Sequence, residues 1–262
     1  MSTDLFKQQS RLVVQGVCHE IGCTPADIVE GRLTIVEGPA ASRPEVVAFV
    51  ATDGIGTVAS VPGPLLDWVR NHAPERGHSR ALQPFFLADL AAEIRRRGIA
   101  RHPRAHGVAL GFALAMVPEL PAPPAGYELR QVDMEWVAGY RLTATFPNAL
   151  GNPAAPASSQ ARAGAFAVFD PAGSPAAAAG WRDDGHGLLE IGVDVSPGCR
   201  GLGLGRLAVA AATRQILESG GTPFYSCGAD NIPSQRTALS CGYLPIGLLG
   251  VIIDEAVLAQ DD

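Results

Sequence analysis

The chain has 262 residues, 20 basic and 26 acidic, for a formal net charge of −6. That balance excludes a dedicated nucleic-acid surface, which needs a basic excess. A hydrophobic share of 47% against 18% charged excludes global disorder and allows a sizeable core. No apolar run reaches the ~18 residues of a membrane span. Met1–Gln9 lacks the basic-then-apolar pattern of an export signal. Five scattered cysteines suit a reducing compartment. The expectation is a cytoplasmic protein that engages neither nucleic acid nor membrane.

Leu12, Val13, Val17 and Ile21 recur at helical spacing and predict a helix from Leu5 to Ile21, stopped by Gly22. The β-branched runs 45–51 and 57–61 predict strands, with Asp53-Gly54 marking the turn between them. Segments 64–71 and 84–97 predict helices, each with Pro near its first turn; Gly98 closes the second. Arg95-Arg96-Arg97 reads as a solvated helix end opposing the dipole rather than as a phosphate site. His102 and His106 have ligand-like spacing, but Pro103 lies between them and no Cys, Asp or Glu completes a set. They read as a surface or loop pair, and Cys18 and Cys23 lack a second pair. No metal is expected.

Residues 117–126 hold four prolines, which forbid a continuing helix. A linker there divides the chain into an α/β accessory region, 1–120, and a second domain, 126–262. The second domain reads in order as a strand at 127–132, a helix at 134–142 and strands at 163–169, 176–181 and 188–195. A long helix at 203–219, a strand at 224–227, a helix at 234–240 and a strand at 248–253 follow. Short turn-rich connections between the middle strands imply hairpins. The plan is α+β, with a mixed, mostly antiparallel sheet flanked by helices. Residues 146–162, rich in Pro, Ala and Ser, read as a mobile loop beside a substrate site.

The informative segment follows the strand at 188–195: Ser196-Pro197-Gly198-Cys199-Arg200-Gly201-Leu202-Gly203-Leu204-Gly205-Arg206. Alternate glycines remove every other side chain, so main-chain N–H groups can approach an anion. The helix that follows directs its positive end at the same place, and Arg200 and Arg206 can add charge-assisted bonds. A nucleotide P-loop would need Lys where Arg206 stands. Gly203-x-Gly205-x-x-Ala208 nominally meets a dinucleotide fingerprint, but the strands before it look antiparallel and too little chain follows. A plain turn before a helix is the remaining reading.

Arg200-x-x-Gly203-x-Gly205 after a strand, with Asn231-x-x-Ser234 and Gly242-Tyr243 downstream, resembles the acyl-coenzyme A motif and closing segment of the GNAT superfamily of N-acetyltransferases. The resemblance covers the second half. It implies that Val193, Asp194 and Val195 run beside the pantetheine of acetyl-CoA, with backbone groups of Val193 and Val195 pairing to it. It also implies that Gly201, Leu202, Gly203, Leu204, Gly205 and Arg206 cradle the pyrophosphate beside Arg200, and that Asn231 and Ser234 face the pantetheine arm. Some members carry a degenerate acetyltransferase-like half in front of the active one, which the first 120 residues resemble. A homodimer is one expectation for such a chain.

Transfer to an amine needs a base, a polarised carbonyl and a proton for the leaving thiolate. Glu190 is the expected base, where several members place one. Asp194 is the second candidate, on the same strand face. A backbone N–H near Val195 is the expected oxyanion donor. The superfamily's usual acid, a Tyr, falls at Ala238, which cannot donate. Tyr225 is the chosen substitute, with Ser226, Cys227, Tyr243 or water as alternatives. Cys227 and Cys241 read as buried, inert thiols. The expected function is acetyl-CoA-dependent N-acetylation of a small-molecule or peptide amine, the net charge leaning toward a cationic acceptor. A non-catalytic acyl-CoA-binding module is the alternative, and a nucleotide-binding protein a third.

Overall fold

The computed structural model describes residues 3–38, 45–73, 78–152, 162–183, 185 and 187–258. The chain forms two compact units. One comprises Val13–Gly111, Cys227–Asp230 and Pro245–Asp262; the other comprises Met1–Leu12, Phe112–Ser226 and Asn231–Leu244. The proline-rich segment 118–126 lies within the second.

The chain opens with helix α1 (Thr3–Ile21), ended by Gly22 at a φ of 76°. The first unit then contributes β1 (Leu33–Glu37), β2 (Val46–Thr52) and β3 (Thr57–Val61), followed by α2 (Leu66–His72), α3 (Pro84–Arg96) and β4 (Pro103–Leu114). β3 pairs antiparallel with β2 and parallel with β1. The predicted Asp53-Gly54 turn is present: Asp53 Oδ1 accepts the N–H groups of Ile55 and Gly56. One sheet face (Ala48, Val50, Ala59, Val61) packs on Leu87, Leu90 and Ile94 of α3, and the other (Phe49, Val58) packs with Ile21. That two-sided burial is why β2 and β3 read as mostly apolar, β-branched runs without alternation.

β1 and β4 are absent from the sequence reading. β4 includes His106, which was expected at the surface or in a loop and is exposed on the strand. Pro103, Gly107 and Gly111 punctuate its sequence, and its outer half alternates poorly, so it carries little strand signal.

The second unit holds β5 (Glu128–Val132), α4 (Met134–Arg141), α5 (Pro147–Leu150), β6 (Gly164–Phe169), β7 (Pro175–Asp183) and β8 (Leu188–Val195). These lead to α6 (Leu204–Glu218), β9 (Thr222–Gly228) and α7 (Ile232–Ser240). Strands β5 to β8 form an antiparallel meander, and β9 joins β8 in parallel. The last strand, β10 (Tyr243–Asp254), pairs antiparallel with β2 through Leu248–Ile253. The fold is therefore α+β and mostly antiparallel, as the sequence predicted.

Alanines 176–179 are all buried, and such small side chains let helices approach the meander closely. α6 covers one face: a β-carbon on its Gly205 would sit 3.2 Å from Val195 Cγ2. α5 covers the other, where a β-carbon on Gly192 would sit 2.0 Å from Asn148 O. Asp133 caps α4 by accepting the Trp136 N–H at 2.7 Å.

In the first unit, Glu93 of α3 accepts 2.6 Å bonds from Arg96 and a 2.5 Å bond from Arg97. Bonding to Arg96 and Arg97 holds its carboxyl near pH 2, below the usual 4.5. A depressed folded-state pKa gives stability that is present above the unfolded value and lost as pH falls. The thermal midpoint of the parent should therefore exceed that of Glu93→Gln above about pH 5 and converge with it toward pH 2, as followed by circular dichroism.

Candidate active site

The site begins at β8. Ser196 N–H donates to Ala176 O at 2.9 Å, and the β7–β8 register runs unbroken from Ala177↔Val195 to Asp183↔Leu189. Bonded pairs alternate in an antiparallel ladder. Glu190, Gly192 and Asp194 therefore turn their backbone groups to β7, while Ile191, Val193 and Val195 turn theirs away. On that far side β9 pairs with β8 only as far as Ile191↔Tyr225, although β8 runs on to Val195. Val193 and Val195 thus present main-chain N–H and C=O groups where the ladder has ended.

The turn beyond β8 leaves more donors open. Gly201 and Gly203 have φ of 82° and 77°, conformations that disfavour any other residue. A β-carbon at either would meet nothing within 4 Å, so the space above them is clear. Hydrogen bonding in α6 starts with Leu207 N–H to Gly203 O at 3.0 Å. Among the described residues, the amides from Gly201 to Arg206 have no protein acceptor. Arg200 and Arg206 stand exposed beside them. Clustered free N–H groups at the positive end of a 15-residue helix make an anion seat. These residues fit a diphosphate.

Asn231 caps α7, its Oδ1 accepting the Ser234 N–H at 3.2 Å. Ser234 Oγ lies 2.8 Å from the hydroxyl of Tyr225. Tyr225 is 1% exposed, edge-on to Phe112 and tilted against Tyr243. The structure therefore brings Tyr225, Asn231 and Ser234 together.

Glu190 lies on the opposite face. It pairs with Phe224 across the β8–β9 ladder, so Tyr225, the next residue, points the other way. Arg182 stands directly across from Glu190 on β7 and donates to its Oε2 from Nε at 2.9 Å and Nη2 at 2.6 Å. Ser226 Oγ donates to Oε1 at 2.6 Å. Asp194 shares this face and is committed elsewhere. Its carboxylate accepts the Asn148 N–H and Nδ2–H at 2.7 Å and the Ala149 N–H at 2.9 Å, anchoring the start of α5. Arg162 clamps the same segment, donating to Ala149 O at 2.9 Å and Asn148 O at 3.1 Å.

Arg182, Arg162 and Asn148 are contributors the sequence reading missed. The hairpin register could have paired Arg182 with Glu190; nothing local marks Arg162. Residues 153–161 of the expected acceptor-side loop, and Asp184 and His186 of the β7–β8 turn, lie outside the described residues, but 147–150 form α5. Ala238 is fully buried. So is Cys241, whose thiol is pushed up to about 11 chiefly by burial and donates to Arg206 O. A thiol held protonated in this way is a poor nucleophile.

A family model described as the acetyltransferase (GNAT) family matches residues 136–243. This stretch is a GNAT acetyltransferase domain. Among solved structures, the chain is similar to a GCN5-related N-acetyltransferase from Kribbella flavida, at 26% identity and a TM-score of 0.45, over 64% of this chain and 63% of that one. It therefore spans less than two thirds of that protein. A Drosophila protein gives a TM-score of 0.50 at 18% identity, over 75% of this chain and 69% of that one. A tandem GNAT protein from the clavulanic acid biosynthesis pathway gives 0.45 at 19%, over 62% and 57%. No curated protein matches the sequence. Among the described residues, no helix is long and apolar enough to cross a membrane, and no group of three or more His, Cys, Asp or Glu could hold a metal.

The close seat of α5 on the GNAT domain's sheet is testable. Gly192→Ala should cost about 1–3 kcal/mol through overpacking, read as a lower thermal midpoint. Gly198→Ala, where a β-carbon meets nothing within 4 Å, should stay within about 0.5 kcal/mol of the parent.

Proposed function

We propose that the protein is an acetyl-CoA-dependent N-acyltransferase that moves an acetyl group to an amine of a small molecule or peptide by direct attack. The observation that carries this reading is the run of acceptor-free amides from Gly201 to Arg206, next to the β8 edge that β9 leaves unpaired. We assign the transferase to residues 126–262 and an accessory role to 1–120.

In this reading Val193 and Val195 bind the pantetheine through main-chain groups, as an added strand would. Asp194, between them, keeps α5 in place. Arg200 and Gly201–Arg206 hold the pyrophosphate, and Asn231 and Ser234 line the pantetheine arm. Acetyl-CoA supplies the activated acyl group. Glu190 takes the amine proton, directly or through a water, while Arg182 and Ser226 fix the orientation of its carboxylate. The Val195 N–H polarises the acyl oxygen. Tyr225 is buried behind Ser234, so its proton reaches the departing sulfur only by way of the serine hydroxyl. Water is the competing donor.

Ala238, fully buried where the family's Tyr stands, favours a second reading: a module that binds acyl-CoA without turning it over. Two experiments decide. A thermal-shift screen should find stabilisation by CoA and acetyl-CoA, about 2.7 kcal/mol at a hundredfold excess over Kd. Stabilisation by ATP or NAD in their place overturns the coenzyme assignment. With an amine panel, acetyl-CoA should release thiol, and Glu190→Gln should lower kcat/KM by about 10²–10⁴ and alter its pH profile. Unchanged turnover and pH profile remove Glu190 from the mechanism, and binding without thiol release supports the module.

A further inference from the structure

We infer that Cys18 and Cys23 close a reversible disulfide that staples the end of α1 when the protein meets peroxide. The inference stands apart from the acyltransferase reading.

The helix end itself brings the two thiols together. Gly22 takes the left-handed conformation, at a φ of 76°. Its N–H donates to His19 O at 3.2 Å, and the Cys23 N–H donates to Cys18 O at 2.8 Å. These two bonds, one nested inside the other, make a Schellman motif. In that motif the residue after the left-handed one turns back over the last turn of the helix, and its side chain meets that of the residue five positions earlier. Both positions are cysteine here. The two are free thiols and hydrogen-bond to each other.

The surroundings hold them in that arrangement. Cys18 is 2% exposed, and Cys23 is half-buried against the cluster of Ile21, Phe49 and Val58. Just beyond, Asp27 Oδ2 accepts the N–H and the hydroxyl of Thr24, each at 2.8 Å. Cys23 therefore sits between two hydrogen-bonded turns. Sulfurs already in hydrogen-bond range have only to close to about 2.05 Å.

The oxidant is hydrogen peroxide. The Cys23 S–H donates to Cys18, which lowers the Cys18 thiol against the opposing effects of burial, Asp27 and Asp53. The Cys18 thiolate attacks one peroxide oxygen; the O–O bond breaks, and the departing hydroxide takes up the proton that the thiol released. The Cys23 sulfur then attacks the Cys18 sulfenic acid; the S–O bond breaks, and hydroxide leaves with the Cys23 proton as water. Two thiols lose two electrons in all, and peroxide is reduced to two waters. A dithiol reductant reverses the bond by exchange.

The test treats the full chain with hydrogen peroxide, alkylates the remaining thiols in denaturant and digests with trypsin. Cys18 and Cys23 fall in one peptide, Leu12–Arg32. After oxidation that peptide should carry neither alkyl group and be lighter than the reduced peptide by the two thiol hydrogens. Dithiothreitol before alkylation should restore both labels. The thermal midpoint of the oxidised parent should rise by about 5 °C and return on reduction, whereas Cys23→Ser should show no rise. Full alkylation of both thiols in excess peroxide overturns the inference. So does sulfinic or sulfonic acid in place of the bond, or pairing of either cysteine with any other. A bond that forms but leaves the midpoint unchanged overturns the staple. The peptide is read in the parent, so a Cys23→Ser chain that fails to fold leaves that readout decisive.

Discussion

The early end of one strand ladder organises the GNAT domain. β8 and β9 pair from Leu188↔Thr222 to Ile191↔Tyr225 and no further, although β8 continues for another turn of its pleat. Backbone polar groups in a sheet are normally satisfied by the next strand. Here the alternation set by β7 sends those of Val193 and Val195 to the side where that strand has left. The turn that follows adds amides without acceptors, and the two positive-φ glycines keep side chains off them. Such unmatched donors are tolerable when water or a ligand can meet them. Clear space above Gly201 and Gly203 makes both accessible.

The other face of the sheet obeys a different constraint. Gly180 and Gly192 let the carbonyls of Ala149 and Asn148 lie where β-carbons would stand. Asp194 then holds the amides of that segment and Arg162 its carbonyls. A four-residue helix has little stability of its own, so α5 owes its position to these groups on neighbouring elements. Asp194 is therefore spent on architecture. Glu190, two residues earlier on the same face, is held instead by side chains of the sheet, Arg182 on one oxygen and Ser226 on the other.

Local signals carried the sequence reading far where one segment contains the whole message. The glycine-rich turn is such a case: strand, positive-φ residues and helix start are consecutive, so the path of its backbone was legible. Asn231 was named from the resemblance as facing the pantetheine arm, and its place as the cap of α7, accepting the Ser234 N–H, is what the structure adds. Glu190 could be named from its place on the strand, but its environment could not. Arg182 reaches it through hairpin register, Ser226 through a parallel ladder, and Arg162 belongs to a distant connection. β4 escaped notice because glycines and polar residues interrupt it, and α5 because four residues have no periodicity to read. Tyr225 was picked by proximity in sequence to the closing strand; side-chain alternation turns it to the face away from Glu190.

That alternation frames the chemistry. Two groups on opposite faces of a sheet can serve one reaction only where the sheet is open between them, and β8 and β9 part immediately after Ile191 and Tyr225. On the proposed reading, with the thioester in that opening, Glu190 meets the incoming amine from the α5 side, while Ser234, backed by Tyr225, meets the leaving sulfur from the α6 and α7 side. Proton removal and proton delivery then occur across the plane of the sheet and need no shared side chain. A missing hydroxyl at Ala238 weakens only the second of these. It leaves the positions of Glu190, the Val195 amide and the helix N-terminus as they are, and proton transfer to a thiolate is the least demanding step of the three because a thiolate is already a good leaving group near neutral pH.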